Sequence, residues 1–526
     1  MTPTFTVFVP GIVALLLSWI VACRRATAAL HMWQMDSYIN SRYVQWLFAK
    51  PFERFFDIKS VGVALFALFV PQPYGAFFWI IWNIGLLVRK DTAPVKKPLD
   101  YTVRAKRTLW TARGILALAA IGLLTTPAPA GGLLLLHAAP GAILAAGYLL
   151  KPIQNRINQG FVRKAGRRLA ELRPRVIGVA GSYGKTSTKY FLDVLLSEKH
   201  NVIKSPGNYN TLLGITRVVN DMLLPEHKVF IAEMGAYKRG EVKEIADLVH
   251  PEIGIITSIG PEHFERFLTM ENIEQTNYEL IATLPPGGLA VFNGDNDHCR
   301  KLAAGTAHTR VALYSLDNAH GDADLWTADA RHTPEGLRFT IVSKDGCRAE
   351  AATPIVGRHN VLNILGAARI ALEFGLTLEE CAAAIAKLKP APHRLEVKPG
   401  GGGTTIIDDS YNSNPIGAAE ALHVLSQYTT GKRILITPGM IELGVLHAEK
   451  NEELGRLAAQ SADVIILVGP EQTAPLRKGV REAGFPEQNL HVVKDLNEAT
   501  AMFPKLLRPG DVLLFENDLP DLYTEK

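Results

Sequence analysis

Apolar and polar positions divide the chain into two unlike parts. Over roughly the first 150 residues the apolar positions come in long runs; beyond them they come in short blocks separated by amphipathic stretches. Phe5 to Val21 is an apolar run followed by Arg24 and Arg25. A cleavable leader carries its positive charge ahead of the apolar run, so this pattern predicts a retained membrane-spanning helix. Two longer runs, about Val61 to Val88 and about Ile115 to Leu150, exceed the roughly 20 residues of one span. Each is interrupted, by Pro71-Gln72-Pro73 and by Pro127 to Gly132, and each reads as a hairpin crossing twice. Basic residues fill the segments between: Arg24, Arg25, Arg42, Lys50, Arg54 and Lys59; then Arg89, Lys90, Lys96, Lys97, Arg104, Lys106 and Arg107; then Lys151, Arg156, Arg163 and Lys164. The positive-inside tendency puts all three on the cytoplasmic face. The expectation is an α-helical, multi-pass transmembrane region over residues 1–152, in the cytoplasmic (inner) membrane. It would have about five crossings, the N-terminus outside and the rest of the chain inside. Val61 to Val70 is short for a span, with a re-entrant segment as the alternative. His31 to Leu47 reads either as an interfacial helix or as a plain connection.

From residue 153 the pattern changes to α/β. After a basic amphipathic linker, Asn155 to Arg173, the block Val176 to Ala180 reads as a short buried strand. It runs into Gly181-Ser182-Tyr183-Gly184-Lys185-Thr186-Ser187-Thr188 and then a helical stretch, Tyr190 to Glu198. Strand, Gly-rich loop, Lys-Thr and helix is the phosphate-binding order. Backbone N–H groups and the helix N-terminus cradle phosphates, Lys185 neutralises charge, and the Thr186 hydroxyl can hold Mg2+. The strict pattern asks for Gly at 179, where this chain has Val. Farther on, Pro390 to Arg394 reads as a hinge. Helix Ile416 to Tyr428 and strands Arg433 to Thr437, Val464 to Val468 and Asp511 to Phe515 form a βα alternation, hence a parallel sheet.

Composition locates rather than changes this picture. The chain is 48% hydrophobic and 20% charged, and the apolar excess lies in its first part. The net charge of +5 concentrates beside the apolar runs, which suggests membrane lipid as a partner and not nucleic acid. Cys23, Cys299, Cys347 and Cys381 are scattered, which argues against a disulfide framework or a cysteine metal cluster.

The shortened G-x-x-G-K-T-S loop resembles that of the Mur ligases, which join an amino acid or dipeptide to a carboxylate through an acyl phosphate. Further segments resemble the family's motifs in order: Gly207-Asn208-Tyr209-Asn210-Thr211, then Glu233-Met234-Gly235-Ala236, then Thr257 to His263, then Gly357 to Asn363. Asp408-Asp409-Ser410-Tyr411-Asn412-Ser413-Asn414-Pro415 and Gly439-Met440-Ile441-Glu442-Leu443-Gly444 resemble the form found in the branch that adds D-alanyl-D-alanine.

The resemblance implies a Mur-ligase-like P-loop central domain, 153–390, and a Rossmann-like C-terminal domain, 391–526, with ATP and Mg2+ as cofactors. It places Gly181, Ser182, Gly184, Lys185, Thr186, Ser187, Asn360 and Asn363 at the nucleotide, with Arg394, Asp409, Tyr411, Asn412 and Asn414 reaching it from the hinge and C-terminal domain. Lys185, His263 and Arg394 are implied in catalysis and Thr186, Glu233 and His263 at metal. Asn208, Asn210 and His447 are implied at substrate. The chemistry agrees: phosphoryl transfer to a carboxylate needs charge neutralisation above all, and Mg2+ prefers hard oxygen ligands such as those of Thr186 and Glu233.

Two places depart from the family. Its often carbamylated lysine, two residues before a Glu, is Asn277 here, ahead of Glu279. Its basic K-G-S-R loop is replaced by Glu516-Asn517-Asp518-Leu519-Pro520. The helical region also stands where the family has a uridine-binding domain. The leading expectation is an ATP-dependent amide ligase joining an amino acid or dipeptide, such as D-alanyl-D-alanine, to a carboxylate of a cell-wall precursor. The same chemistry on a membrane- or lipid-linked envelope acceptor or on polyglutamate is one alternative. A nucleotide-binding membrane regulator without turnover is the other.

Overall fold

The computed structural model describes residues 3–35, 38–49, 51, 55–89, 98–333 and 336–518. These form two compact units, divided between Asn158 and Gln159.

The first unit is helical: α1 (Pro3–Met35), α2 (Asn40–Ala49), α3 (Ile58–Phe69), α4 (Tyr74–Val88), α5 (Val103–Gly122) and most of α6 (Ala128–Leu172). Leu30, Trp33, Trp79, Leu116, Leu135 and Ile143 are buried at its centre. The Trp79 indole N–H donates to Ser18 Oγ at 2.8 Å, and Gly132 lies against both groups, where any Cβ would collide. The Arg24 guanidinium donates to the carbonyls of Leu87 at 3.0 Å and Arg89 at 2.6 Å. It thereby satisfies acceptors that the end of α4 leaves open.

The breaks fall where the prolines predict, at Val70–Pro73 and at Leu123–Pro127. The spans do not follow. With 12 and 15 residues, α3 and α4 are about 18 and 22 Å long at 1.5 Å per residue, against a hydrocarbon core of about 30 Å. Helix α5 begins at Val103, well before Ile115, and carries Arg104, Lys106, Arg107 and Arg113. Among the described residues only Val9–Met35 and Ala128–Leu172 are long and apolar enough to cross a membrane, and 44% and 39% of their most apolar windows are buried within the protein. The expected five-crossing region of the inner membrane is therefore overturned. Apolar faces that hydropathy assigned to lipid are spent in part on helix–helix packing. His31 to Leu47 is not one segment: α1 continues to Met35, Tyr38 is left-handed (φ 62°) and α2 starts at Asn40. Lys50, Arg54, Lys90, Lys96 and Lys97 lie outside the described residues.

The second unit contains two sheets. The larger comprises β1 (Arg175–Ala180), β2 (Val202–Lys204), β3 (Val229–Glu233), β4 (Ile253–Ile256), β5 (Leu289–Asn293), β6 (Arg310–Tyr314), β7 (Leu325–Thr333), β8 (Gly336–Ser343) and β9 (Arg348–Thr353). Its order is β2-β3-β1-β4-β5-β6-β7-β8-β9, parallel as far as β7 and antiparallel from β7 to β9. One face is covered by α7 (Lys185–Leu196), α13 (Arg358–Glu373) and α14 (Leu378–Ile385). The other is covered by the end of α6 with α8 (Leu212–Asp221), α9 (Glu241–Val249), α10 (Phe264–Phe267), α11 (Met270–Ala282) and α12 (Asp297–Ala304). Buried on both faces, the central strands read as continuous apolar blocks.

The smaller sheet has β10 (Glu396–Pro399), β11 (Thr405–Asp409), β12 (Arg433–Thr437), β13 (Val464–Val468), β14 (Leu490–Val493) and β15 (Val512–Glu516). Its order is β10-β11-β15-β12-β13-β14, parallel except for β10. Around it lie α15 (Pro415–Ser426), α16 (His447–Ser461), α17 (Ala474–Glu482) and α18 (Leu496–Leu506). The expected strands at 433–437 and 464–468 coincide with β12 and β13, and the last strand lies one residue later than expected. Helix α7 starts at Lys185, five residues before the expected Tyr190, because the phosphate loop turns directly into it.

Candidate active site

Strand β1 delivers the chain into the phosphate loop at the C-terminal edge of the parallel sheet, where α/β proteins place ligands. Gly181 has φ +133° and Gly184 φ +83°, values open to glycine. A Cβ at 181 would strike the Thr257 hydroxyl, and one at 184 would strike the Asn363 amide. The loop is anchored from three sides. The Ser182 N–H donates to Ser258 O at 2.6 Å, the Ser182 hydroxyl to Gly260 O at 2.9 Å, and the Gly181 N–H to Asn277 Oδ1 at 2.7 Å.

Asn363 and Asn360 are buried behind the loop. Asn363 accepts from the Thr188 hydroxyl at 3.3 Å and donates to Asn360 Oδ1 at 3.2 Å, and Asn360 donates to Val356 O at 2.8 Å. The structure places both as supports of the loop. Ser187 lies in the first turn of α7.

The Lys185 ammonium donates to Gly181 O at 2.5 Å, Ser182 O at 2.9 Å and Glu262 Oε2 at 2.9 Å. The loop's own carbonyls and one carboxylate thus hold the cation over the cradle.

Beside it, Glu233 ends β3, almost closed from solvent. Its Oε1 accepts from the Thr186 hydroxyl at 3.3 Å and from the Asn210 amide at 3.1 Å, while its Oε2 is 2.7 Å from Lys189 Nζ. Lys189, fully buried, also donates to Gly207 O at 2.8 Å. Burial pulls its pKa down, with Glu233 acting in the opposite sense. The Thr186 hydroxyl and the Glu233 carboxylate are a hard oxygen pair that fits a divalent cation. Lys189 was missed in the sequence, although its place one helical turn after Lys185 was a usable signal.

His263 is oriented through one ring nitrogen, which leaves Nε2 as the atom that could reach a metal. It is left-handed (φ 49°), and its Nδ1 is paired with Glu442 of the Gly439–Gly444 motif. Arg266 reaches the same carboxylate at 3.4 Å, and the Glu265 N–H donates to Glu442 O at 3.1 Å. Burial lowers the His263 pKa, but Glu442 and Glu262 outweigh it and the net shift is upward. The Tyr237 ring packs 4.6 Å from the imidazole and lies under the Arg266 guanidinium.

The other half of the site comes from the hinge and β11. His393 (φ 59°) and Leu395 (φ 50°) are left-handed on either side of Arg394, a strained backbone of the kind that surrounding contacts must hold. Here the Leu395 N–H donates to Asp409 Oδ1 at 3.0 Å and the Tyr411 N–H to His393 O at 3.3 Å. Arg394 lies 4.4 Å over the Tyr411 ring and donates to Asn412 O at 3.4 Å. The Tyr411 phenol hydrogen-bonds Asn208 on the loop after β2. Asn414 caps α15, accepting from the Gly417 N–H at 2.8 Å with Pro415 behind it. His447 opens α16, and Asn451 ties that helix to the Gly439–Gly444 motif, accepting from the Met440 N–H and donating to Met440 O. Burial lowers the His447 pKa.

The acidic tail is turned inward. Glu516 faces Asp409 across the β11–β15 ladder, accepts from the Ser413 hydroxyl at 2.5 Å, and has its pKa raised well up by burial and by Asp409. The Asn517 amide donates to Gly439 O at 2.7 Å. Leu519 and Pro520 lie outside the described residues.

The sequence carries the same division. Residues 179–371 match the Mur ligase middle domain and residues 393–516 the Mur ligase, glutamate ligase domain. The UDP-N-acetylmuramoyl-tripeptide–D-alanyl-D-alanine ligase of Mycobacterium bovis is 32% identical over 369 residues, covering 64% of this chain and 69% of that protein.

The chain belongs to the Mur ligase family.

The Escherichia coli ligase of the same name is 30% identical over 302 residues, 57% of this chain and 66% of that protein. A MurF crystal structure from Acinetobacter baumannii superposes with a TM-score of 0.63 at 23% identity, covering 70% of this chain and 78% of that one. MurF from Thermotoga maritima in complex with ADP gives 0.61 at 23% identity, over 70% and 81%. At that identity the structures establish the Mur ligase fold for the α/β unit. As a family member the chain is an ATP-dependent ligase that forms carbon–nitrogen bonds. Residues 1–178, which include the helical region, lie outside the matched domains, and the relatives lend no support to a multi-pass membrane location or a lipid partner.

Proposed function

We propose that this Mur ligase joins D-alanyl-D-alanine to the tripeptide carboxylate of a UDP-linked muramoyl precursor, the substrates for which its curated relatives are named. The observation that carries the proposal is the convergence of two half-sites. Lys185, Thr186 and Glu233 from the 153–390 domain meet Arg394, Asp409 and Tyr411 from the 391–526 domain, joined by Tyr411–Asn208 and Glu442–His263.

Chemistry follows from the placement. The amides of Tyr183 to Thr186 and the start of α7 receive phosphates. Lys185 exchanges Glu262 for the γ-phosphate and neutralises charge as the acceptor carboxylate attacks. Thr186 and Glu233 would hold Mg2+, which when bound offsets the phosphate charge. Arg394 adds a cation from the hinge, and Asp409 and Tyr411 border the nucleoside. With ADP released, the amine then attacks the carbonyl carbon of the acyl phosphate, loses a proton and expels inorganic phosphate, with Asn208 and Asn210 on the acceptor side and His447 on the amine side.

The test uses the purified full chain with ATP, Mg2+, UDP-N-acetylmuramoyl-tripeptide and D-alanyl-D-alanine, reading ADP release and product mass. ADP release that requires both substrates, with the mass of the joined product, is expected. No amine-dependent release with this pair would overturn it. The Glu516-Asn517-Asp518 tail favours a second reading, the same ligation on another envelope acceptor or with another amine, which separate pools of acceptors and amines would reveal.

A further inference from the structure

In the family the residue at position 277 is often a lysine whose carbamate helps hold a second divalent cation. The amide of Asn277 cannot take that role. A carbamate forms when a nucleophilic amine adds to CO2 and loses a proton; an amide nitrogen has its lone pair delocalised into the carbonyl. Helix α11 offers no substitute, since no lysine occurs between Phe267 and Pro286.

The geometry gives Asn277 another task. Its Oδ1 accepts from the Gly181 N–H at 2.7 Å, across 96 residues of chain, and its Nδ2 donates to Ile273 O at 2.9 Å. The side chain is held at both ends and buried, so it has no room to swing toward a metal. The other donor implied for a second cation, His263, has its Nδ1 engaged by Glu442 and so offers at most one neutral nitrogen, Nε2, without the anionic carbamate beside it. Glu279, two residues on, is likewise spent: its carboxylate accepts from the Gly240 N–H at 2.7 Å and the Lys243 N–H at 2.9 Å, closing the start of α9.

We infer that Asn277 is a positioning residue that locks the first glycine of the phosphate loop, and that this ligase binds its nucleotide with one divalent cation and without dissolved CO2. The inference rests on the nucleotide reading of the site but is independent of which acceptor and amine are joined. Gly181 opens the loop; fixing its peptide plane through its N–H orients the turn that leads to Gly184 and Lys185. The remaining cation has Thr186 and Glu233, with Lys189 already neutralising the second oxygen of that carboxylate.

Binding experiments on the full chain read this without turnover. Mn2+ titrated in the presence of ADP and followed by electron paramagnetic resonance should saturate at one ion per chain. The ADP dissociation constant with Mg2+ should be the same in CO2-stripped buffer and in added bicarbonate. A second tightly bound Mn2+, or an affinity that rises with bicarbonate, would overturn the single-cation claim. Asn277→Ala should weaken Mg·ADP about tenfold, the effect of leaving a buried N–H unpaired. Asn277→Asp, which keeps an acceptor for Gly181, should stay within about threefold of the native chain. An Ala variant that is folded and binds Mg·ADP as well as the native chain would overturn the positioning role. The Mn2+ and bicarbonate measurements need no variant, and failed ligation of one substrate pair would leave them unaffected.

Discussion

Lys189 and Glu233 form an ion pair of 2.7 Å with both side chains closed from solvent. The pair ties α7, just after the phosphate loop, to the end of β3, and so sets where the Glu233 carboxylate points. Removing one member of such a pair leaves an uncompensated buried charge, which costs about 3–5 kcal/mol. Lys189→Met should therefore destabilise the α/β unit by that order in urea unfolding. The double variant with Glu233→Gln should recover most of the loss, because neither charge then remains. Equal destabilisation in the single and double variants would show that packing, and not charge, is at stake.

The Lys185–Glu262 contact makes opposite predictions for its two members. Lys185→Ala removes the cation the phosphates need and should lower amine-dependent ADP release by at least about a thousandfold with the fold retained. Glu262→Gln removes a competitor for the same cation and should lower the KM for ATP several-fold. Steady-state kinetics against ATP separates them, and an unchanged KM in Glu262→Gln would mean that the pair does not compete with nucleotide.

The phosphate loop was legible because its chemistry is local: a glycine turn, a lysine and a helix start occupy consecutive residues. The contacts that hold it were not. Asn277 reaches Gly181, and Glu442 reaches His263, across long stretches of sequence that reveal neither distance nor direction. Asn277 was legible as a departure and not as a brace. The Glu516 tail was legible as acidic, while its inward turn onto Asp409 depends on the β11–β15 register. In the helical region the prolines marked the breaks correctly, yet apolar runs alone do not distinguish a face packed on Trp79 from one in lipid. The β7–β9 antiparallel extension went unread, although Leu337, Phe339 and Ile341 alternate with Arg338 and Thr340 along β8 and β9 alternates throughout.

Glu442, on the loop after β12 of the smaller sheet, reaches His263 and Arg266 beside the larger one. On the proposed reading the phosphates rest mainly on Lys185 and its loop, within one half-site, whereas amide formation needs both half-sites held together. Glu442→Ala should lower kcat about tenfold or more while the KM for ATP changes less than about threefold. A matching rise in KM with unchanged kcat would assign Glu442 to nucleotide binding instead.

Asp408 gives the C-terminal domain an acid-sensitive anchor. Burial pushes its pKa upward, but hydrogen bonds from Lys398, Ser410 and His393 prevail and hold it at about 2. Lys398 Nζ is 2.6 Å and His393 Nδ1 2.9 Å from its Oδ2. A carboxyl whose folded pKa lies below its unfolded value near 3.9 stabilises the fold above that value and loses the contribution as pH falls toward the folded one. The shift corresponds to about 2 kcal/mol at neutral pH. Asp408→Asn should therefore cost about that much in urea unfolding at pH 7, and the difference from the native chain should shrink steadily as pH is lowered from about 4.5 to 3. A difference that stays constant over this range would mean that Asp408 contributes through its neutral hydrogen bonds and not through its charge.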